Sequence, residues 1–352
     1  MIRHKQPWLN SAWKDSIFIL TPPFFCLLLI AILPKAFIAN EQFSAIHWLL
    51  LVVFIDVAHV YSTLYRTYFN RKNFNNNLTL LTLIPIGCYL SGFTLYQINS
   101  LWFWRILAYL AVFHFIRQQY GFMKLYNRTR KSSRTNQFID AAAIYAATLY
   151  PIIYWHLKGD RNFNWFISGD FIIYVNDSLL TFSQGCYVLI LAMYFVKEIA
   201  LSVNLKELNI PKNVLLLGTI LSWYVGIIYF NGDLVFTLFN VVSHGIPYMA
   251  LIWFFEKKRE SSPNLTTKFQ QFAFGKYGIL IFIAIILALA YVEEALWDGM
   301  IWKEHQQFFK IFSFLPTVND EFLLSLLIPL LALPQATHYV LDGFIWKKKY
   351  NF

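Results

Sequence analysis

Charge is what this sequence is short of. Only 14% of its 352 residues are Asp, Glu, Lys or Arg, against about 25% in a soluble domain. The chain therefore lacks the polar side chains needed to coat a water-exposed surface. Cysteine is scarce as well: Cys26, Cys88 and Cys186 lie in apolar runs without CxxC spacing, which excludes a disulfide scaffold and says nothing about redox compartment. The phosphate-cradling loop, the dinucleotide-binding glycine pattern and the hydrolase nucleophile elbow are all missing. What fills the chain is 58% hydrophobic and 19% aromatic, with 35 Phe, 21 Tyr and 12 Trp. Soluble enzymes and nucleic-acid-binding domains are excluded on that composition. The expected class is a multi-pass, all-α integral membrane protein forming one domain over residues 1–352.

A spanning helix needs about 20 mostly apolar residues, because lipid offers backbone groups no partner. Runs of that kind occur at roughly 17–39, 46–65, 78–97, 101–121, 139–157, 178–197, 213–231, 233–255, 277–293 and 321–345, giving about ten expected spans. With residues 1–16 in the cytoplasm, 22 of the 29 Lys and Arg fall in inner segments and five in outer ones. That bias follows the positive-inside rule and predicts cytoplasmic ends on both sides, in a bacterial inner membrane. It also accounts for the net charge of +10 as topology and attraction to anionic membrane lipids, without a nucleic-acid partner. Asp140, at an inner helix start, reads as a carboxylate favoured by the helix dipole. Glu293 and Glu294, at an outer helix end, read as solvated.

Eight histidines sort into two groups. His4 is in the N-terminal tail, while His47, His156 and His305 sit at outer span ends or in an outer loop, where an imidazole stays wet. His59, His114, His244 and His338 each lie inside an apolar run, in its inner half, on spans of one direction. At 1.5 Å per helical residue their depths agree within one or two turns, so a single layer can hold all four rings. Polar residues accompany them: Asp56 three residues before His59, Asp342 four after His338, Arg117 and Gln118 below His114, Asn240 above His244, and Gln335 above His338. Ionisable groups within a membrane are costly and mark functional sites. A lone membrane histidine reads as an interhelical hydrogen bond; four at one depth read as a shared metal site.

Imidazole suits iron, copper and zinc, and histidines with carboxylates and open positions suit non-haem iron. One or two histidines per helix near the cytoplasmic face of a multi-span bundle resemble the histidine-ligated membrane iron oxygenases. These include the fatty acyl desaturases and hydroxylases and the Brp/Blh-type carotenoid-cleaving dioxygenases, although the HxxxH and HxxHH boxes of the desaturases do not occur here. The resemblance implies iron on His59, His114, His244 and His338, with Asp56 or Asp342 in support. It also implies a lipid or isoprenoid substrate entering from the bilayer, and an electron donor. On this reading Asp56, Arg117 and Asp342 are the catalytic residues, with Arg117 and Gln118 on a polar headgroup or an activated oxygen species. Other readings stand beside it. Axial histidines can hold haem. His244 can act as the general base of a membrane acyltransferase. A transporter can relay protons through Asp and His, although no internal repeat and no polar path through the outer half are apparent in the sequence.

Overall fold

The computed structural model describes residues 6–33, 44–129, 132–159, 161–205, 208–260 and 268–347. Every regular element among them is helical, as the composition requires. In chain order these are α1 (Ala12–Leu20), α2 (Pro22–Ile32), α3 (Ala45–Arg66), α4 (Arg71–Asn76), α5 (Leu78–Ile98), α6 (Ser100–Tyr126), α7 (Arg134–Lys158), α8 (Asp177–Leu205), α9 (Ile210–Tyr229), α10 (Asp233–Glu260), α11 (Lys268–Phe274), α12 (Gly278–Trp302), α13 (Glu321–Leu331) and α14 (Leu333–Ile345). Seven of them, α3, α5, α7, α8, α9, α10 and α12, are long and apolar enough to cross a membrane. The count rises to nine if the bent pairs α1–α2 (58°) and α13–α14 (43°) each serve as one span. Pro22, Pro23 and Pro334 at the breaks explain the bends. The tenth expected span corresponds to α6. Arg105, His114, Arg117, Gln118 and Gln119 interrupt its apolar run, and it is not among the seven.

The chain clusters into two compact units. One comprises Met1–Gln42 with Phe115–Pro247, the other Phe43–His114 with Tyr248–Phe352; α6 and α10 each contribute to both. His4 lies outside the described residues.

In the first unit, Asn209 and Ser133 cap the starts of α9 and α7 by accepting main-chain N–H bonds. Gly218 of α9 faces Pro23 of α2 so closely that an added Cβ would stand 2.7 Å from its ring, the small-residue contact common between membrane helices. In the segment between α7 and α8, Asp170 accepts N–H bonds from Phe166 and Ile167. Arg161 donates to the terminal carbonyls of Ile227 and Phe230 (2.6 and 2.9 Å), where a helix C-terminus favours a cation.

Where Asp140 was expected to sit in a helix dipole, it is buried in a quartet of charges. Lys197 donates to Asp140, and Lys212 donates to Asp140 and Glu198 (3.2 and 2.6 Å). Lys197 lies 3.0 Å from Glu198. Asn127 and Asn213 donate to the remaining carboxylate oxygens, each at 2.9 Å. Two cations and two anions cancel, which is how charged groups tolerate removal from water. Lys197 and Lys212, counted above as inner-surface charges, are thus internal.

The second unit packs around Val53, Val57, Ala58, Tyr65, Tyr248, Ile252, Phe274, Phe282, Ile286 and Ala290, from α3, α10, α11 and α12. Within α3, Leu49–Val57 is wound as a π-helix before α-geometry resumes at Ala58. Such stretches often accompany functional sites.

Breaking the quartet should destabilise the protein. Lys212→Met leaves Asp140 and Glu198 under-compensated, and is expected to cost about 3–5 kcal/mol in reversible unfolding in detergent. Arg71→Met, on the short α4, is expected to change little.

Candidate metal centre

His59 on α3, His114 on α6 and His338 on α14 converge in the second unit. Each is 1–2% exposed. Ring centroids are 5.0 Å apart for His59 and His338, 4.5 Å for His114 and His338, and 6.4 Å for His59 and His114. The Nε2 atoms of His338 and His114 face one another at 3.1 Å.

The opposite edges of the His338 and His114 rings face protein groups. His338 Nδ1 lies 2.7 Å from Thr63 Oγ1, and Thr63 Oγ1 lies 3.1 Å from the Tyr248 hydroxyl. Tyr248 donates to Asp342 Oδ1 at 2.9 Å, and Trp346 Nε1 donates to the same oxygen at 2.7 Å. Asp342 Oδ2 stands 3.4 Å from His114 Nδ1. His59 Nδ1 is 3.6 Å from Asp56 Oδ1. Of the two carboxylates expected here, Asp342 therefore sits behind one imidazole and Asp56 behind another. For Asp342 that is the placement of an acceptor that orients a metal-bound histidine through its second nitrogen, while Asp56 stands just beyond hydrogen-bond length from His59.

His244 lies in the first unit, also 2% exposed. Its ring stacks on Phe115 with centroids 3.5 Å apart, and its main-chain carbonyl accepts a bond from Gln118 Nε2 at 3.0 Å. Arg117, in the same unit, has an exposed side chain that donates to the Tyr145 hydroxyl (2.6 Å) and lies 5.0 Å from the Tyr120 ring centroid. His59, His114, His244 and His338 are the one His/Cys/Asp/Glu group, among the described residues, that could hold a metal ion. All four are buried.

The Arg66 guanidinium lies between the rings of Phe255 and Trp346, 3.9 and 4.3 Å from their centroids. It donates to Glu256 (3.3 Å) and the Ile345 carbonyl. Glu293 and Glu294 are buried rather than solvated. They precede the true end of α12, which continues to Trp302. Tyr61 donates to Glu293 Oε2 at 2.5 Å and Gln335 to Oε1 at 3.3 Å. Asp298 is buried nearby and accepts the His305 N–H. Polar groups thus do reach the end of the second unit opposite Arg66, contrary to the sequence expectation for the outer half. The remaining histidines keep local roles: His47 pairs with Ser44, His156 with the Ile172 carbonyl, and His305 stacks on Trp48.

Thr63, Tyr248 and Trp346 were not singled out by sequence. Each lies four residues after one that was (His59, His244 and Asp342), so a search one helical turn onward for hydrogen-bonding side chains would have found them. No family model, curated protein or solved structure matches this chain.

Replacing Glu293 by Leu strands the Tyr61 hydroxyl and the Gln335 amide. Thermal unfolding in detergent should register a loss of about 1–3 kcal/mol. Glu293→Gln keeps an acceptor for Tyr61 and should lose less than half as much.

Proposed function

We propose that this protein is a ten-span membrane metalloprotein with both ends in the cytoplasm. It uses a histidine-bound transition metal, iron first among the candidates, to oxidise a lipid or isoprenoid near the inner leaflet with dioxygen as the oxidant. The observation that carries the metal is the pair of facing Nε2 atoms 3.1 Å apart. A histidine nitrogen binds such an ion at about 2.0–2.1 Å, so two of them at this separation subtend about 100° at a common ion. That is the angle of neighbouring ligands in tetrahedral or octahedral coordination. A haem axial pair would stand on opposite sides of the iron, about 4 Å apart at the same bond length, so the haem reading is disfavoured.

His59, His114 and His338 are the proposed core ligands. His244 is proposed as the fourth: it stacks on Phe115, the residue after His114, and stands one turn before Tyr248 on α10. Asp342 and Asp56 orient His114 and His59. Iron would supply one-electron chemistry at this site. The chain's own contribution is a buried, water-excluding pocket of fixed imidazoles. The exposed Arg117 guanidinium is kept as a headgroup contact and is not assigned to the reacting centre. The apolar substrate follows from the setting, since groups buried in lipid-facing helices are reached most directly from the bilayer. The acyltransferase reading uses His244 alone and leaves three converging imidazoles without a task.

One observation favours a different reading. Buried Glu293, with Tyr61 and Gln335, and the neighbouring Glu294 and Asp298, resemble the intramembrane carboxyl groups of proton-coupled transporters. A transporter of that kind would work without a transition metal.

Elemental analysis of the purified, active protein separates these readings. One iron, copper or zinc per chain is expected, without a Soret band. His59→Ala, His114→Ala, His244→Ala and His338→Ala should each reduce the metal at least tenfold, while His47→Ala and His156→Ala retain it. A metal content well below one per chain in active protein would remove the oxidoreductase reading and leave the transporter.

A further inference from the structure

The hydrogen bonds behind the histidines run in one direction, and that direction decides which nitrogen of each ring is bare. Tyr248 and Trp346 both donate to Asp342 Oδ1, and His114 Nδ1 lies 3.4 Å from Oδ2; with Asp342 taken as an ionised carboxylate, which only accepts, His114 Nδ1 carries hydrogen. Tyr248 has then used its single proton. Its oxygen can meet Thr63 Oγ1 only as an acceptor, so the Thr63 hydroxyl donates to it. Thr63 has in turn used its own proton and can only accept from His338, whose Nδ1 therefore carries hydrogen. Read outward from Asp342, the loop His338–Thr63–Tyr248–Asp342–His114 places a proton on both Nδ1 atoms. It leaves lone pairs on the two Nε2 atoms, 3.1 Å apart. Two bare lone pairs facing each other repel unless a cation sits between them.

The same loop occupies the carboxylate. Oδ1 of Asp342 receives Tyr248 and Trp346, and Oδ2 lies against His114. Both oxygens are thus engaged by side chains of the protein, and Asp342 is assigned as an orienting group rather than a ligand.

Building on the metal reading above, we propose that Thr63 and Tyr248 are positioning residues. Acting through Asp342, they hold His338 and His114 in the Nδ1–H tautomer, so that the centre takes one borderline divalent cation on imidazole nitrogens alone. The ligand class follows from the donors: all-nitrogen imidazole sets suit zinc, copper, cobalt and iron, whereas magnesium and calcium need oxygen. Thr63 and Tyr248 touch neither the ion nor the substrate in this scheme. Their contribution is the orientation and basicity of two ligands, an effect that typically changes metal affinity by about 10–100-fold.

The test is cobalt(II) titration of the metal-stripped full-length protein in detergent, followed by its visible ligand-field spectrum. The unaltered chain should take one cobalt. Thr63→Val is isosteric but neither donates nor accepts, and it should weaken binding about 10–100-fold and shift the spectrum. Tyr248→Phe should act in the same direction. Thr63→Ser restores the hydroxyl and should recover both affinity and spectrum, which a purely packing role for Thr63 would not require. Asp342→Asn should still bind one cobalt, more weakly, because no ligand is lost. Unchanged affinity in Thr63→Val and Tyr248→Phe, with normal binding by the unaltered chain, would overturn this proposal and leave the metal centre standing. Failure of the unaltered chain to bind cobalt, copper or iron would overturn both. Magnesium or calcium binding at this site in place of cobalt would also overturn the all-imidazole assignment.

Discussion

Everything at the histidine centre depends on one carboxylate on which three side chains from different parts of the chain converge. Asp342 is held by a phenol, an indole and an imidazole, from residues on α10, at the end of α14 and on α6. An anion in this apolar setting persists only when its oxygens are satisfied, and satisfying them fixes the rotamers and protons of everything that donates to it. Burial, hydrogen-bond direction and ring orientation are thus one constraint. The Arg66 guanidinium follows the same rule nearby, answered by Glu256 and flanked by two aromatic faces.

The other unit meets the same requirement with charges. Asp140, Lys197, Glu198 and Lys212 neutralise one another at the packed ends of α7, α8 and α9, and two asparagines take up the remaining oxygens. The two solutions differ in purpose. The quartet's charges are answered within it. The Asp342 loop ends on two nitrogens that face each other.

The helices were plain in the sequence, because apolar runs of 20 residues have no other form in lipid. Their number was less so: α6 carries enough polar residues to fall short of a simple spanning helix, and two pairs of helices are broken at proline. The meeting of His59, His114 and His338 was foreseeable from equal depth. Asp342 was foreseeable from its spacing to His338, yet it serves His114 on a different helix, since helical periodicity gives the face of a side chain and not its neighbour across the interface. Asp140, Glu293 and Glu294 were misjudged for one reason. A carboxylate near the end of an apolar run is read as wet, while its burial is settled by lysines, a tyrosine and a glutamine distant in sequence.

The π-wound stretch Leu49–Val57 has an evolutionary corollary. A π-turn carries one residue more than the α-turn it replaces, so shortening this stretch by a single residue lets it relax to ordinary α-geometry while the helix beyond keeps its orientation. The same deletion in α14, between Pro334 and His338, would rotate the ring by about 100° away from its partners. Length variation among descendants of this chain should therefore be tolerated ahead of His59 and purged ahead of His338.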